Sequence, residues 1–360
     1  MEKIKLLCLF GGKSGEHEVS LVSAHSILEN IDREKYDVEM VGITKAGDWY
    51  YYTGDIAAIK DGSWCADGAS LPRAAISPSV SDSALLVMDG DQIKRIHIDV
   101  VFPVMHGANA EDGTLQGLLA ISGIPYVGCG CLTSAVAMDK SVTKLILKNL
   151  NIPQARSIFI RAEAFAANET VIIERCEQIS PYPLFVKPAN AGSSVGASKA
   201  IDRKSLKAAI ETAAAVDNKI LIEEYVSGKE IEVAVIGKKR FIASTCGQVI
   251  PGSEFYDYDT KYSADSPASY KIPASIKPET AQQIRTYAQQ ICAVLGVVGL
   301  SRVDFFVRRH GAREEIIFNE INTLPGFTSI SMYPKLLMHD GMTYSQIIDH
   351  LIAIAMGKEE

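Results

Sequence analysis

Toward the C-terminal end, two segments place acidic, basic and amide side chains at every second position. Ser301–Val307 and Glu315–Ile321 flank a His310-Gly311-Ala312 turn and read as an antiparallel hairpin. Arg302 and Asp304 are two apart and share a face, as do Glu320 and Asn322. With the turn centred on Ala312, Asp304 opposes Glu320 and Arg302 opposes Asn322, each pair about 5 Å apart. Two opposed carboxylates repel, and a divalent cation between them removes that cost. Oxygen donors without His or Cys favour Mg²⁺ or Mn²⁺ over zinc. A solvated polar face with a surface ion pair fits the same pattern, and pattern alone leaves the two readings open. The run Asn322-Thr323-Leu324-Pro325-Gly326 follows directly. A Pro-Gly turn there brings backbone N–H groups back toward the polar face, where they can hold a carboxylate or an oxyanion.

A second constellation suits phosphate. Lys187-Pro188 ends a strand-like segment, and Gly192-Ser193-Ser194-Val195-Gly196 follows. Such a loop offers N–H groups and hydroxyls, and Lys187 adds a point charge. Many Gly-Ser loops are only turns. Lys140, in Met138-Asp139-Lys140, is a second cation, and by itself it reads equally as a solvated helix residue. Gly12-Lys13-Ser14 imitates the end of a P-loop, but the motif needs glycine where Leu7 stands. No G-x-G-x-x-G follows a strand.

The elements that must position these groups alternate from the start. Ile4–Phe10, Val38–Ile43 and Val100–Pro103 read as strands, with helices at Val19–Ile31 and Thr114–Ile121 and a short strand at Tyr126-Val127. This alternation predicts an open parallel sheet. Helices at Ala135–Leu150, Thr170–Ser180 and Leu206–Val216, with strands at Leu184–Lys187 and Ile220–Tyr225, make a small central α/β unit. Strands near Glu230–Ile236 and Phe241–Ser244, a helix near Thr280–Leu295, the hairpin and a helix from Tyr344 complete the chain. The division is 1–128, 129–226 and 227–360. The polar, Tyr-rich stretch 252–270 is a candidate lid, since functional loops are long and polar.

Bulk properties narrow the function. At 360 residues the chain suits two or three domains of roughly 100–200 residues. A net charge of −7 without a Lys/Arg run argues against nucleic acid or an anionic membrane as partner. The seven cysteines are odd in number, scattered and without C-x-x-C, as expected of reduced thiols in a cytoplasm. The apolar run Leu6–Phe10 is five residues long, short of the roughly 7–15 of a secretory signal. No stretch reaches the roughly 18 apolar residues of a membrane span.

Taken in order, the blocks resemble the D-alanine–D-alanine ligase family of the ATP-grasp fold. They are Phe10-Gly11-Gly12 with Ser14–Ser20, His106-Gly107 with Glu111-Asp112-Gly113, Met138-Asp139-Lys140, Lys187-Pro188 with Gly192–Gly196, Phe255–Tyr258 with Lys261-Tyr262, Arg302-Val303-Asp304, and Glu320–Thr323 with Pro325-Gly326. The match runs from about residue 4 to residue 355. It implies an α/β, three-domain ATP-grasp fold: an N-terminal parallel-sheet domain, a central α/β domain and a C-terminal antiparallel-sheet domain. It implies ATP as substrate, two Mg²⁺ (or Mn²⁺), two D-alanines joined through an acyl phosphate for peptidoglycan precursors, and a homodimer.

The resemblance also assigns roles. Lys140, Lys187 and Lys261 would contact ATP phosphates, with the backbone of Ser193, Ser194 and Val195 closing over them. Glu223 and Glu230 would hold the adenine amino group and the ribose, with Tyr225 and Val226 lining that pocket. Asp304, Glu320 and Asn322 would carry the metals. Glu16 would bind the first ammonium in a network with Ser193 and Tyr262. Arg302 and the Gly326 N–H would stabilise the oxyanion, His106 would line the first-substrate pocket, and Ser331 and the Met332 backbone would face the second carboxylate. Ala110 departs from the family, which usually has glycine there; a positive φ at that point would strain it by roughly 1 kcal/mol. Lys261-Tyr262 and the absence of an arginine at Met332 favour D-alanine over D-serine, and over D-lactate, as second substrate. Other readings are a different ATP-grasp ligase and a non-catalytic nucleotide binder; the intact set Asp304, Glu320 and Asn322 argues against the latter.

Overall fold

A computed structural model describes residues 2–66, 70–250 and 269–359. Lys261, Tyr262 and nearly all of the candidate lid lie outside the described residues.

The first sheet has seven strands: β1 (Ile4–Gly11), β2 (Tyr36–Ile43), β3 (Trp49–Tyr52), β4 (Arg73–Ile76), β5 (Ala84–Asp89), β6 (Gln92–His97) and β7 (Val100–Val104). Their order is β6-β5-β4-β3-β2-β1-β7. Only β1 pairs in parallel, with β2 and β7, while β2 to β6 form an antiparallel meander. The expected parallel sheet is therefore mixed. The reason is local: short turns such as Asp89–Gly90–Asp91–Gln92 reverse the chain without room for crossover helices. Between β1 and β2 runs α1 (His17–Asn30), and between β3 and β4 the short α2 (Ile56–Lys60). The segment at Tyr126-Val127 makes a single bridge, Val101 to Tyr126, and no strand.

After α3 (Thr114–Ser122), the expected long helix is two, α4 (Cys131–Met138) and α5 (Lys140–Lys148). Asp139 breaks it. Its backbone is extended and its carboxylate accepts from the N–H groups of Ser141 and Val142, so it caps the second helix. That cap starts a new helix at Lys140. A second, four-stranded antiparallel sheet holds β8 (Ser157–Arg161), β9 (Leu184–Pro188), β10 (Ser198–Ala200) and β11 (Lys219–Glu224), in the order β10-β9-β11-β8. Helices α6 (Ala162–Ala167), α7 (Glu169–Glu177) and α8 (Arg203–Ala214) bury Phe165, Ile172, Ile173, Leu206 and Ile210 in one apolar cluster with this sheet.

The third sheet contains β12 (Lys229–Gly237), β13 (Phe241–Ala243), β14 (Gly247–Ile250), β15 (Ser269–Lys271), β16 (Gly299–His310) and β17 (Arg313–Asn322), ordered β15-β14-β12-β16-β17 with β13 on β12. Helix α9 (Pro278–Leu295) packs on it, and α10 (Met332–His339) and α11 (Tyr344–Ala355) end the chain. Phe327 ties the loop after β17 to the rest: its ring meets Phe102 of β7 at 6.4 Å, Tyr333 at 5.4 Å and Tyr344 at 5.6 Å. No helix among the described residues is long and apolar enough to cross a membrane.

Candidate active site

The hairpin register is as expected at the site, for a reason the turn alone does not supply. His310 pairs with Arg313, so the turn is centred between Gly311 and Ala312, half a residue earlier than read from sequence. A β-bulge between Asp304 and Phe305 makes Asn319 an extra residue, and it restores Asp304 opposite Glu320 and Arg302 opposite Asn322. Across the sheet, Glu232 of β12 pairs with Asp304 on its other side. Glu232, Asp304 and Glu320 thus form a row on neighbouring strands.

The expected repulsion is relieved by side-chain cations. Arg302 donates to both Asp304 oxygens at 2.8 and 2.6 Å and lies 3.2 Å from Glu232, and Lys140 stands 3.4 Å from Glu320. Burial opposes the Arg302 charge, but Asp304 and Glu232 outweigh it and raise its pKa well above the usual value. No cluster of three or more His, Cys, Asp or Glu side chains drawn together around a metal position is found among the described residues. In chemistry the oxygen donors of Asp304, Glu320 and Asn322 suit a hard divalent cation. Arg302 engages both Asp304 oxygens, and each keeps a second lone pair that a cation can use.

Two cavities meet on this row. The smaller is lined by Glu16, His106, Glu111, Lys140, Ser193, Arg302, Glu320, Asn322 and Gly326, among others. Glu16, at the start of α1, accepts a hydrogen bond from the Ser193 hydroxyl. Two glycines leave room for its carboxylate: a Cβ on Gly107 would lie 2.6 Å from Oε2, and one on Gly192 2.9 Å. Ser193 and Ser194 both adopt left-handed backbone (φ 49° and 59°), which turns the loop back over the cavity. His106 is buried, with Nδ1 2.8 Å from the Leu324 carbonyl and Nε2 3.1 Å from Ser23 Oγ. Burial lowers its pKa, so the neutral ring donates to Leu324 and accepts from Ser23. His106 therefore fixes the Pro-Gly loop as well as lining the cavity. Glu111 accepts from the Gly107 N–H at 2.9 Å. Burial, then the charge of Glu16, pushes its pKa up to about 8 against the pull of Lys140 and Arg302. Ala110 is buried and does not have positive φ; Asn109 takes that conformation instead (φ 65°), so the feared strain is absent.

The larger cleft, about 1740 Å³ including its open mouth, runs between the second and third sheets. Lys187, Ser194, Val195, Glu223, Tyr225, Val226, Glu230 and Asp304 line it, and it shares Lys140, Gly192, Ser193, Arg302 and Glu320 with the smaller cavity. Glu223 is clamped by Lys144 at 2.6 Å and Lys187 at 2.7 Å. Burial alone would raise its pKa, but Lys144 and then Lys187 outweigh it and hold the carboxyl down to about 2. Burial opposes the charge on Lys187 too, and Glu223 and Glu320 raise its pKa.

Most residues singled out from sequence thus gather around one junction. Ser331 and Met332 do not line either cavity. Met332 is 4% exposed and packs in the core with Leu336 at the start of α10. Ser331 hydrogen-bonds Thr328. Sequence reasoning missed Glu232, Lys144 and the role of Asn319, whose side chain accepts from Lys187 at 3.2 Å. Glu232 was legible in principle, being two residues from Glu230 on one strand face. Lys144 was legible as the residue one helical turn beyond Lys140.

The family model described as D-ala D-ala ligase N-terminus matches residues 5–129, and D-ala D-ala ligase C-terminus matches 146–353. A D-alanine–D-alanine ligase from Ruminiclostridium cellulolyticum is 48% identical, covering 100% of this chain and 97% of that protein. One from Acetivibrio thermocellus is 47% identical, covering 99% and 96%. A solved VanG D-Ala:D-Ser ligase from Enterococcus faecalis superposes with TM-score 0.87 at 39% identity, covering 98% of this chain and 100% of that one. The fold and the site define an ATP-grasp ligase. The chain belongs to the D-alanine–D-alanine ligase family.

Proposed function

We propose that the protein joins two D-alanines to D-alanyl-D-alanine with ATP, for peptidoglycan precursor synthesis. The observation that carries this reading is the junction: a carboxylate-lined cavity and a nucleotide-sized cleft meet at Lys140, Ser193, Arg302 and Glu320. The first D-alanine places its ammonium at Glu16 and its carboxylate toward Arg302. That carboxylate attacks the γ-phosphorus of ATP, releasing ADP and forming an acyl phosphate. Two anions approach in this step, and Lys140, Lys187 and Arg302 offset their repulsion. The free amine of the second D-alanine then attacks the acyl carbon. Arg302 and the Gly326 N–H hold the oxyanion, inorganic phosphate leaves, and the amine proton is lost to the surroundings. Such a donor is worth roughly 10²–10³ in rate.

Adenine lies in the larger cleft with its amino group at Glu223, between Tyr225 and Val226, and the ribose at Glu230. Ser194 and Val195 cover the phosphates. Asp304, Glu320 and Asn322 would hold two Mg²⁺, which neutralise phosphate charge. By the family resemblance Lys261 would contact the phosphates and Tyr262 would join the Glu16–Ser193 network, while Ser331 and the Met332 main chain would face the second carboxylate. The reading includes a cytoplasmic homodimer divided at residues 128 and 226.

The test is phosphate release with ATP and Mg²⁺ in the presence of D-alanine, D-serine or both, with products identified by mass. D-Alanyl-D-alanine as the main product from the mixture is expected. A dominant D-alanyl-D-serine product moves the second-substrate assignment, and no phosphate release with either amino acid overturns the ligase reading.

A further inference from the structure

Helix α5 carries two lysines one turn apart with different surroundings. Lys140 faces the junction, where it donates to the Ala191 carbonyl at 2.7 Å and pairs with Glu320. Lys144 lies 2.6 Å from Glu223 and is 6% exposed. Lys187 holds the other Glu223 oxygen at 2.7 Å. Glu223 and Lys187 line the larger cleft, whereas Lys144 does not. One carboxylate therefore has two cations, one accessible to a ligand and one behind the wall. The helix is stitched to β11 twice: at its cap, Asp139 meets Lys219 at 2.7 Å, and one turn on, Lys144 meets Glu223.

This asymmetry has a chemical consequence. A phosphate entering the cleft competes for Lys187, the only one of the two lysines it can reach. If Lys187 were the sole partner, its departure would leave Glu223 buried and unpaired. The group would then swing after the lysine or take up a proton. Lys144 prevents both, because it stays when Lys187 leaves. We infer that Lys144 is a positioning residue that keeps Glu223 a fixed anionic acceptor during nucleotide binding, and so selects a base bearing an exocyclic amino group over one bearing an oxo group. An ionised carboxylate accepts from an amino N–H and repels a carbonyl oxygen. A protonated or displaced one loses that discrimination. The inference rests on the proposed placement of adenine in the larger cleft.

The test measures equilibrium binding of ATP and of inosine triphosphate, which differ at this position by amino against oxo. The full chain and its Lys144→Met, Glu223→Gln and double variants are compared. The wild type is expected to prefer ATP. Lys144→Met should narrow the ATP-to-inosine preference by roughly tenfold or more, the scale of a hydrogen bond to a charged group. Glu223→Gln, whose amide both donates and accepts, should narrow it as well. Adding Lys144→Met to Glu223→Gln should then leave the preference where Glu223→Gln put it. A merely structural lysine would instead weaken both nucleotides equally, in either background, and that result overturns the inference. Where Lys144→Met does not fold, Lys144→Gln is read in its place, with the same expectation. A wild type that binds neither nucleotide overturns the proposed function. A wild type that prefers ATP, with the preference intact in the lysine variants, overturns this inference alone.

Discussion

Gly107→Ala isolates the contact that shapes the first-substrate cavity. Gly107 has φ 75°, and a Cβ there would lie 2.6 Å from Glu16 Oε2. The left-handed backbone costs an L-residue about 1–2 kcal/mol. The carboxylate cannot retreat freely, since Ser193 bonds its other oxygen and Gly192 also lies close to Oε2. Displacing it weakens a hydrogen bond to a charged group, worth about 1.5–3 kcal/mol. The sum is a loss of roughly 2.5–5 kcal/mol. Gly90→Ala supplies the control: its φ is 57°, and its Cβ would meet nothing within 4 Å. That variant should lose only the backbone part, about 1–2 kcal/mol. Denaturant unfolding of both variants measures the difference. Steady-state kinetics should show the D-alanine KM of Gly107→Ala raised by roughly ten- to hundredfold, with the ATP KM close to wild type. Equal stability losses in the two variants, with an unchanged D-alanine KM, would refute the Glu16 cradle.

Two further changes probe the rest of the site. Glu320→Gln should abolish turnover while leaving the unfolding midpoint near that of the wild type, since Glu320 is only partly buried; near-normal turnover would misplace the metal-binding role. Glu111 is raised to about 8 from its ordinary 4.5, so the folded protein keeps a proton that the unfolded chain loses over that interval. Its contribution to stability is complete below pH 4.5 and declines as the pH rises to about 8, by at most about 1.4 kcal/mol per unit. Glu111→Gln removes the titration, so across this window the variant should gain on the wild type as pH increases. A stability difference that stays constant with pH would count against the half-buried, protonated carboxyl.

Much of the site was legible because it is written in short-range patterns. The strand alternation that sets Arg302 beside Asp304 and Glu320 beside Asn322 depends only on the two-residue repeat of a strand. The Gly/Ser loop and the Pro-Gly turn advertise backbone N–H groups by residue type. The blocks that carry the family resemblance are likewise local. The break at Asp139 was legible in kind, since aspartate caps helices, but the apolar pattern through Ala135–Leu150 masked it.

What tertiary structure decided is everything that depends on a partner distant in sequence. Asn319 bulges out of β17, and this shift in strand pairing, which no turn rule contains, puts Asp304 against Glu320. Glu232 joins the acidic row only because β12 lies next to β16. Arg302 pairs with Asp304 and Glu232 together because both flank it in a buried sheet face, where an unpaired charge is costly. His106 anchors a loop 218 residues away in sequence. Lys144 meets Glu223 because the Asp139–Lys219 pair lays α5 along β11. The sequence alone determined which chemical groups were available and which neighbours shared a face; burial and long-range packing determined which charges pair, and hence which remain for substrate.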